Sequence, residues 1–305
     1  MPRRVPLPKQ VLGKPFSLAE GRIAGLSPAR MRGRDLEAPF PGVRASVDPR
    51  GEASPRERIL ARAQAYSPRL LPGQFFCELT AVAIHGLPLP EARLGETLLH
   101  IGVAYPATAP RTAGICGHQY RDPQTTSVGG WLISRPLDSW LECAARLTSD
   151  ELVVIGDGLV RRQSPFVSLE ELHAASIGYV GKRGAKALHS ATARVRGRTD
   201  SPRETMVRLI VVAAGLPEPL VNFTITNGYG VFLALADLAY PDFRIMIEYD
   251  GAHHFENPQQ FHRDVDRLDG VMAENWRVVR LNKSHSRATI IARVETALRA
   301  RGWTG

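Results

Sequence analysis

The spacing of apolar residues in the last third of the chain predicts a regular succession of helices and strands. In the segment 201–217 apolar residues recur at helical spacing, Ser201 and Pro202 stand at its start, and Gly215 stands near its end. Serine followed by proline is typical of a helix N-terminus, and glycine of a helix C-terminus. The segment is therefore predicted to form a helix.

Short runs of aliphatic and β-branched residues follow this helix and predict strands. They occupy 220–225, 231–240, 244–250 and 276–282. Helical spacing returns in 258–275, which Asn275 closes, and in 287–301. The order α-β-β-β-α-β-α indicates an α/β (α+β) domain in which helices flank a mixed sheet.

The pattern before residue 198 predicts a smaller mixed α/β region. The segment 75–86 is predicted to be one apolar helix that ends at Gly86, and 97–105 is predicted to be a strand. Ser168 and Glu171 have the spacing of a capping box, which predicts a helix start.

Changes in composition divide the chain into three predicted parts. Residues 1–50 form a basic segment, with ten Lys or Arg against four Asp or Glu, and a polar linker follows it. The stretch 178–202 is basic and polar, so we place a second boundary near residue 197. The predicted parts are 1–50, 51–197 and 198–305.

Composition excludes several classes of protein. Hydrophobic residues make up 44% and charged residues 23% of the chain, as in globular proteins. A membrane helix needs about 18 or more consecutive apolar residues, and no such run occurs. The basic N-terminus lacks the apolar segment of a secretory signal, and three cysteines are too few for a disulfide framework. We therefore expect a cytoplasmic protein without a membrane partner.

The charge of the chain indicates a polyanionic partner. The formal net charge is +9, and 34 of the 39 basic residues are arginine. A basic surface attracts polyanions, of which nucleic acid is the commonest in a cytoplasm. The arginine excess also fits a GC-rich coding sequence, so charge alone does not decide the function.

Two acidic residues interrupt otherwise apolar predicted strands. Asp237 lies in 231–240 and Glu248 lies in 244–250, and the short turn between the strands predicts that they pair antiparallel. Acids in apolar strands are costly without a partner, and a divalent cation such as Mg²⁺ or Mn²⁺ is the usual partner for a carboxylate pair. Gly251 then allows a bend that returns His253 or His254 to the same place.

These residues resemble a known family of nucleases. The stretches "SPRET", "ADLAYPDFRIMIEYDGAHH" and "FHRDVDRLDGVMAENWRVVRL" resemble endonuclease domains related to the very-short-patch mismatch-repair nuclease, in the PD-(D/E)XK restriction-endonuclease-like superfamily. The resemblance covers about residues 201 to 299. It implies a restriction-endonuclease-like fold, DNA as substrate, and Mg²⁺ held by Asp237 and Glu248, with a further acid from the first helix, Glu204.

The resemblance also implies roles for neighbouring residues. Asp250 stands where the superfamily has a catalytic lysine, so we assign the general base to His254, with His253 as the alternative. The very-short-patch type also lacks that lysine. The carbonyl of Tyr249 is a third predicted metal ligand, and Asp264 is predicted to orient His254. Arg263 or Arg267 is predicted to bind phosphate.

Several of these residues have a purely structural alternative. Glu204 has the position of a capping-box residue after Ser201. Asp250 before glycine fits a turn. Asp264 and Arg267 have the spacing of a surface ion pair on a helix.

Two further motifs are open to interpretation. Cys116-x-His118 has the spacing of half a metal site, but we interpret it as a buried cysteine beside an unrelated histidine, because no second pair accompanies it. Lys182 and Arg183 lie among three glycines. We interpret that stretch as a basic flexible loop that contacts DNA phosphate rather than as a nucleotide-binding loop, since it matches no known phosphate-loop pattern.

The front of the chain resembles a second family. The stretches "GLSPARMRGRDLEAPFPGVRA", "LTAVAIHGLPLP" and "ELVVIGDGLVRR" resemble, in this order, segments of AbiEi-type antitoxins and abortive-infection regulators. The resemblance implies a winged helix, truncated here within 1–50, and a toxin-type protein partner. The leading hypothesis is thus a metal-dependent DNA endonuclease, and the alternative is a non-catalytic antitoxin-type regulator with a degenerate nuclease fold.

Overall fold

A computed structural model describes residues 5–46, 54–95, 98–250 and 267–305. Contacts within the chain group it into two units, Met1–Arg146 and Leu147–Gly305. Each unit combines helices with a mixed sheet. The protein has an α/β fold, as the sequence predicts. Within the described residues no helix has the length and hydropathy needed to cross a membrane.

The described residues of the N-terminal unit form two sheets. Its strands are β1 (Phe16–Ser17), β2 (Leu36–Glu37), β3 (Val43–Ser46), β4 (Phe75–Phe76), β5 (Leu99–Ala104), β6 (Ile115–Tyr120), β7 (Thr125–Val128) and β8 (Trp131–Ser134). Its helices are α1 (Leu18–Ile23), α2 (Pro55–Tyr66), α3 (Glu78–Ile84) and α4 (Pro136–Cys143). An antiparallel sheet has the order β1-β3-β2, and a mixed sheet has the order β6-β5-β4-β8-β7.

The part of the C-terminal unit that the structure describes forms one mixed sheet and helices. The helices are α5 (Ser149–Leu159), α6 (Leu169–Ile177), α7 (Ala185–Thr192), α8 (Pro202–Ala213), α9 (267–273) and α10 (Arg287–Arg299). The strands are β9 (Leu220–Thr226), β10 (Phe232–Tyr240), β11 (Ile245–Asp250) and β12 (Arg277–Asn282). The sheet order is β12-β11-β10-β9.

Connection length explains this topology. A 3₁₀ turn, Pro241–Phe243, joins β10 to β11, so these strands pair antiparallel. The connection to β12 is much longer and includes α9, and β12 pairs parallel to β11. Three consecutive residues at the end of β10, Leu238–Tyr240, are all buried, so apolar groups cover both faces of this strand.

Local sequence signals define most of the element ends. Ser168 accepts a hydrogen bond from the Glu171 N–H in a complete capping box, as predicted. Asn275 has a φ of 62° in the turn that follows α9, which is the left-handed conformation expected of a helix-closing asparagine. The predicted order of elements from residue 201 onward is confirmed for the described residues.

The predicted single helix over 75–86 is wrong. Phe75 and Phe76 form the short strand β4 instead, and α3 begins only at Glu78. Phe76 pairs with Ile101 on one side and with Ile133 on the other. Sheet pairing on both sides therefore outweighs the helical pattern of the segment.

The residues 147–197 group with the C-terminal unit, whereas the sequence analysis places the boundary near residue 197. A buried ion pair accounts for this grouping, because Asp157 of α5 lies 2.7 Å from the guanidinium of Arg208 of α8. Both side chains are 1% exposed. The division into 1–50, 51–197 and 198–305 stays a prediction.

Candidate functional site

Asp237 and Glu248 lie opposite each other where the pairing of β10 with β11 ends. The last paired residues are Leu238 and Ile247, and continuing this register by one residue sets Asp237 across from Glu248. The Tyr249 N–H donates to Asp237 Oδ2 at 2.8 Å. The structure thus brings together the two acids that the sequence predicts as neighbours, at a point where two strands separate.

The environment of Asp237 disfavours its charged form. Burial, together with the charges of Glu248 and Asp200, raises the pKa of this carboxyl to about 6. The hydrogen bond from Tyr249 and the charge of Arg267 act in the opposite direction. Cation binding at this carboxylate relieves the repulsion between like charges.

Glu204 reaches the same place from the start of α8. Its carboxylate accepts hydrogen bonds from the Asp200 N–H at 2.9 Å and from Asn222 Nδ2 at 3.3 Å. Burial raises the pKa of Glu204 to about 7, helped by the charges of Asp237 and Asp200. Ser201 caps the N–H of Glu204 at 3.2 Å, yet the carboxylate binds the Asp200 N–H and not that of Ser201. The expected capping box is therefore only half present.

Asn222 extends the row of polar residues across the sheet. Its neighbours in β9 pair with β10, and the register of that pairing sets Asn222 opposite Asp237. It is 4% exposed and has a φ of 46°, a conformation that asparagine tolerates. Asn222 was not predicted from the sequence; its signal is an amide between two apolar residues of β9.

A protein cation already binds Glu248. Arg267 Nη1 lies 2.8 Å from Glu248 Oε1, and Arg280 Nε of β12 lies 4.0 Å from Glu248 Oε2. Arg267, predicted to bind phosphate, thus pairs with the predicted metal ligand. A phosphate or a metal ion at this place has to compete with that pair.

Other predicted site residues are only partly described. His253, His254, Arg263 and Asp264 lie outside the described residues, and of Asp250 only the backbone is described, paired with Asn282 in the sheet. Lys182 and Arg183 are exposed between α6 and α7. Lys182 Nζ lies 4.9 Å from the ring centroid of Tyr179, whose hydroxyl donates to the Arg183 carbonyl at 3.2 Å. Tyr179 thus contacts both Lys182 and Arg183 within the predicted flexible loop.

A second polar cluster lies in the N-terminal unit. The parallel pairing of β5 with β6 sets His100 beside Cys116, and His118 follows two residues later on the same face. His100, Cys116 and His118 each offer a ligand atom, all within 4.8 Å of one another, and they are the one such group of three or more among the described residues. We call them the His-Cys-His cluster.

The His-Cys-His cluster adds a residue that the sequence pattern did not connect with Cys116-x-His118. No second ligand pair accompanies that motif along the chain, but His100 reaches it from the neighbouring strand. The interpretation of a cysteine beside an unrelated histidine stays a prediction. His100 is fully buried in an apolar strand. A histidine between Leu99 and Ile101 was the signal that could have indicated it.

A buried carboxylate holds the two histidines. Glu78 Oε1 lies 3.1 Å from His118 Nδ1, and Glu78 Oε2 lies 3.1 Å from His100 Nδ1. Burial lowers the pKa of His118 to about 4, although the charge of Glu78 opposes the shift. His118 is therefore neutral at neutral pH. Glu78 adopts a φ of 44°, which is uncommon for a residue with a side chain.

Arg146 and Glu142 border the cluster. Arg146 Nε lies 3.0 Å from Glu78 Oε2, and Arg146 Nη2 lies 2.7 Å from Cys116 Sγ. Glu142 accepts hydrogen bonds from the Glu78 N–H at 3.0 Å and from Ser134 Oγ at 2.8 Å. Burial raises the pKa of Glu142 to about 8. The Arg146 guanidinium thus bridges the Glu78 carboxylate and the Cys116 sulphur.

Comparison with known proteins identifies relatives but no activity. The chain is 27% identical over 204 residues to two proteins of Mycobacterium tuberculosis, "Uncharacterized protein MT2308" of strain CDC 1551 / Oshkosh and "Uncharacterized protein Rv2248" of strain H37Rv. Each alignment covers 67% of this chain and 72% of the relative. No protein-family profile and no solved structure matches the chain.

Proposed function

We propose that the C-terminal unit is a metal-dependent endonuclease that hydrolyses phosphodiester bonds in DNA. The observation that carries the proposal is the position of Asp237 opposite Glu248, at the end of the pairing between β10 and β11. Glu204 adds a third carboxylate whose charge acts on Asp237. Clustered oxygen ligands of this kind suit Mg²⁺ or Mn²⁺.

Some residues at this site would hold a cation, and others position the carboxylates. Asp237 and Glu248 would hold the metal ion, and the Tyr249 N–H orients Asp237. A bound Mg²⁺ lowers the pKa of a water molecule and neutralises charge on the phosphate that is attacked. A metal ion held by Glu248 would take the place of Arg267, whose guanidinium would then be available to bind the DNA backbone. The assignment of the general base to His254 stays a prediction.

The pair between Arg267 and Glu248 also favours a second candidate function. Their 2.8 Å ion pair satisfies the carboxylate without any metal. In that case the unit binds DNA without cutting it, as expected of an antitoxin-type regulator whose nuclease fold has lost activity. Such a regulator would act through a toxin-type protein partner.

Plasmid nicking separates the two functions. We expect the wild-type protein to nick supercoiled DNA with Mg²⁺ or Mn²⁺ and to stop when the metal is chelated. Asp237→Asn and Glu248→Gln should each lower the nicking rate by about a hundredfold or more, because each removes a charged ligand. Both variants should still retard DNA in a gel.

The control is a matched carboxylate-to-amide change elsewhere in the same unit. Glu295→Gln alters a partly exposed residue of α10 that pairs with Arg299, and it should nick at the wild-type rate. If wild type and Asp237→Asn nick equally, the activity does not come from this site. If neither cuts any DNA form with either metal while both bind DNA, the regulator is correct.

A further inference from the structure

We propose that the His-Cys-His cluster of the N-terminal unit is a binding site for Zn²⁺ or a similar transition-metal ion, separate from the carboxylate site of the C-terminal unit. The ligands are His100 Nδ1, His118 Nε2 and Cys116 Sγ. Two imidazoles and a thiolate form a ligand set that selects Zn²⁺ over Mg²⁺.

The separations of the ligand atoms fit a tetrahedral ion. Zinc–nitrogen bonds of 2.0–2.1 Å place two nitrogens of a tetrahedral site roughly 3.3 Å apart. His100 Nδ1 and His118 Nε2 lie 3.0 Å apart, and the sulphur of Cys116 completes a group that spans at most 4.8 Å. The two nitrogens need to separate by a few tenths of an ångström, and the sulphur, which a tetrahedral ion holds roughly 3.5 Å from each nitrogen, has to approach them from within 4.8 Å.

The polar contacts of His118 prepare it as a ligand. Its Nδ1 lies 3.1 Å from Glu78 Oε1, so the proton on Nδ1 is donated to the carboxylate. The lone pair of His118 Nε2 then faces His100. Carboxylates commonly orient metal-binding histidines in this way. Glu78 is buried, with 5% of its side chain exposed, and thereby fixes the tautomer that metal binding requires.

Arg146 acts as the resident cation of this site. Its guanidinium contacts both Glu78 and Cys116, the groups that a metal ion would neutralise. A positive charge beside a cysteine favours the thiolate, which is the form that binds metals. The side chain of Arg146 is 43% exposed, so it can move into solvent without disturbing the core.

The charge and proton balance of binding is simple. The metal ion would form bonds to sulphur and to two neutral imidazoles. His100 Nδ1 faces two acceptors, Glu78 Oε2 at 3.1 Å and His118 Nε2 at 3.0 Å, so this nitrogen carries the ring proton in the absence of metal. Metal binding would move that proton to Nε2, with no net change in the protons on the imidazole. Any proton on the Cys116 thiol is released to solvent. The reaction needs no oxidant or reductant, because Zn²⁺ keeps its oxidation state.

Cobalt substitution in the full, untagged chain tests the proposal. Under reducing conditions, wild-type protein should bind one Co²⁺ with a thiolate charge-transfer band in the near ultraviolet and the strong visible absorption of a tetrahedral site. Zn²⁺ should abolish both signals, whereas excess Mg²⁺ should leave them unchanged. The Mg²⁺ arm keeps this result independent of the proposed nuclease site.

Three variants with a matched control identify the ligands. Cys116→Ser should lose the charge-transfer band, and His118→Gln should weaken Co²⁺ binding by at least about tenfold. Cys143→Ser, a change at a buried cysteine outside the cluster, should keep the band. Arg146→Gln removes the competing cation and should strengthen binding by about tenfold.

The Arg146 variant distinguishes a metal site from a polar network that only stabilises the fold. In a purely structural network, Arg146→Gln lowers the melting temperature and no Co²⁺ signal appears. Absence of the charge-transfer band in folded wild-type protein at excess Co²⁺, or its persistence in Cys116→Ser, overturns the proposal. Circular dichroism of each variant establishes that it is folded.

Discussion

Glu204 combines a structural and an electrostatic role in one side chain. Its backbone N–H is capped by Ser201, and its carboxylate accepts the Asp200 N–H, so it stabilises the chain just before α8. The charge of Asp237 raises the pKa of the same carboxyl. The sequence offered the cap and the metal site as alternatives for Glu204, but the contacts are compatible with both.

The pKa of Glu204 predicts a pH dependence of stability. The folded protein keeps a proton on this carboxyl up to about pH 7, whereas the carboxyl ordinarily titrates at 4.5. Its contribution is fully present below 4.5 and is lost as pH rises through about 7. Glu204→Gln cannot ionise. We therefore expect the free energy of unfolding of this variant, relative to wild type, to rise by roughly 2 kcal/mol from pH 5 to pH 8.

Urea denaturation at the two pH values, with a chelator present, measures this difference. The chelator removes divalent ions that would offset the repulsion among the carboxylates. Glu295→Gln, which changes a partly exposed carboxylate, should keep a constant difference from wild type. A constant difference for Glu204→Gln as well would show that Glu204 ionises normally in the folded protein.

At the scale of elements, a buried ion pair fixes α5 to α8. Asp157 accepts hydrogen bonds from the Thr205 hydroxyl at 2.7 Å and from the Arg196 N–H at 2.8 Å. Arg208 donates to Asp157 at 2.7 Å and to the Arg194 carbonyl at 2.9 Å. Such a pair is tolerated in the core because each charge compensates the other, so removing either partner leaves a buried charge.

Arg208→Leu should therefore lower the free energy of unfolding by about 3–5 kcal/mol, because it leaves Asp157 buried without its cation. The double variant Asp157→Leu with Arg208→Leu should lose less than the sum of the two single variants. Arg135→Leu, which removes a half-exposed pair with Asp138, should cost less than about 1 kcal/mol. Additive losses in the Asp157 and Arg208 cycle would contradict this account.

The hairpin of β10 and β11 carries the acid pair of the C-terminal unit. Its short turn leaves little freedom in register, so the position of Asp237 relative to Glu248 follows from local sequence. Asn222 depends on the pairing of β9 with β10 across a longer turn. The sequence therefore predicted the contact of Asp237 with Glu248 but not the position of Asn222.

At the scale of the whole molecule, the net charge of +9 favours association with nucleic acid. Such binding releases counterions, so it weakens steeply as salt rises. Lys182 and Arg183 are exposed, and both belong to the unit that contains the proposed nuclease site. They are therefore the first basic residues to test.

We expect the affinity for duplex DNA, measured by fluorescence anisotropy, to fall as salt is raised. Replacing Lys182 and Arg183 together by alanine should weaken binding equally across unrelated sequences and reduce the salt slope by about 2. Arg111→Ala with Arg121→Ala makes the same charge change at exposed positions of the N-terminal unit. If that control lowers the slope equally, net charge and not the basic loop determines binding.

The sequence by itself determined the α/β class, the order of elements after residue 201 and the pairing of Asp237 with Glu248. These features depend on residue spacing, caps and short turns, which act between near neighbours in the chain. The roles implied by the resemblance to nucleases and to antitoxins stay predictions.

Only the tertiary structure decided which distant groups meet. It joined His100 to Cys116 and His118 through the parallel register of β5 and β6, and it placed Arg146 over the same group. It also paired Arg267 with Glu248. A parallel register and a helix-to-sheet contact are set by packing over long separations, because no local period specifies them.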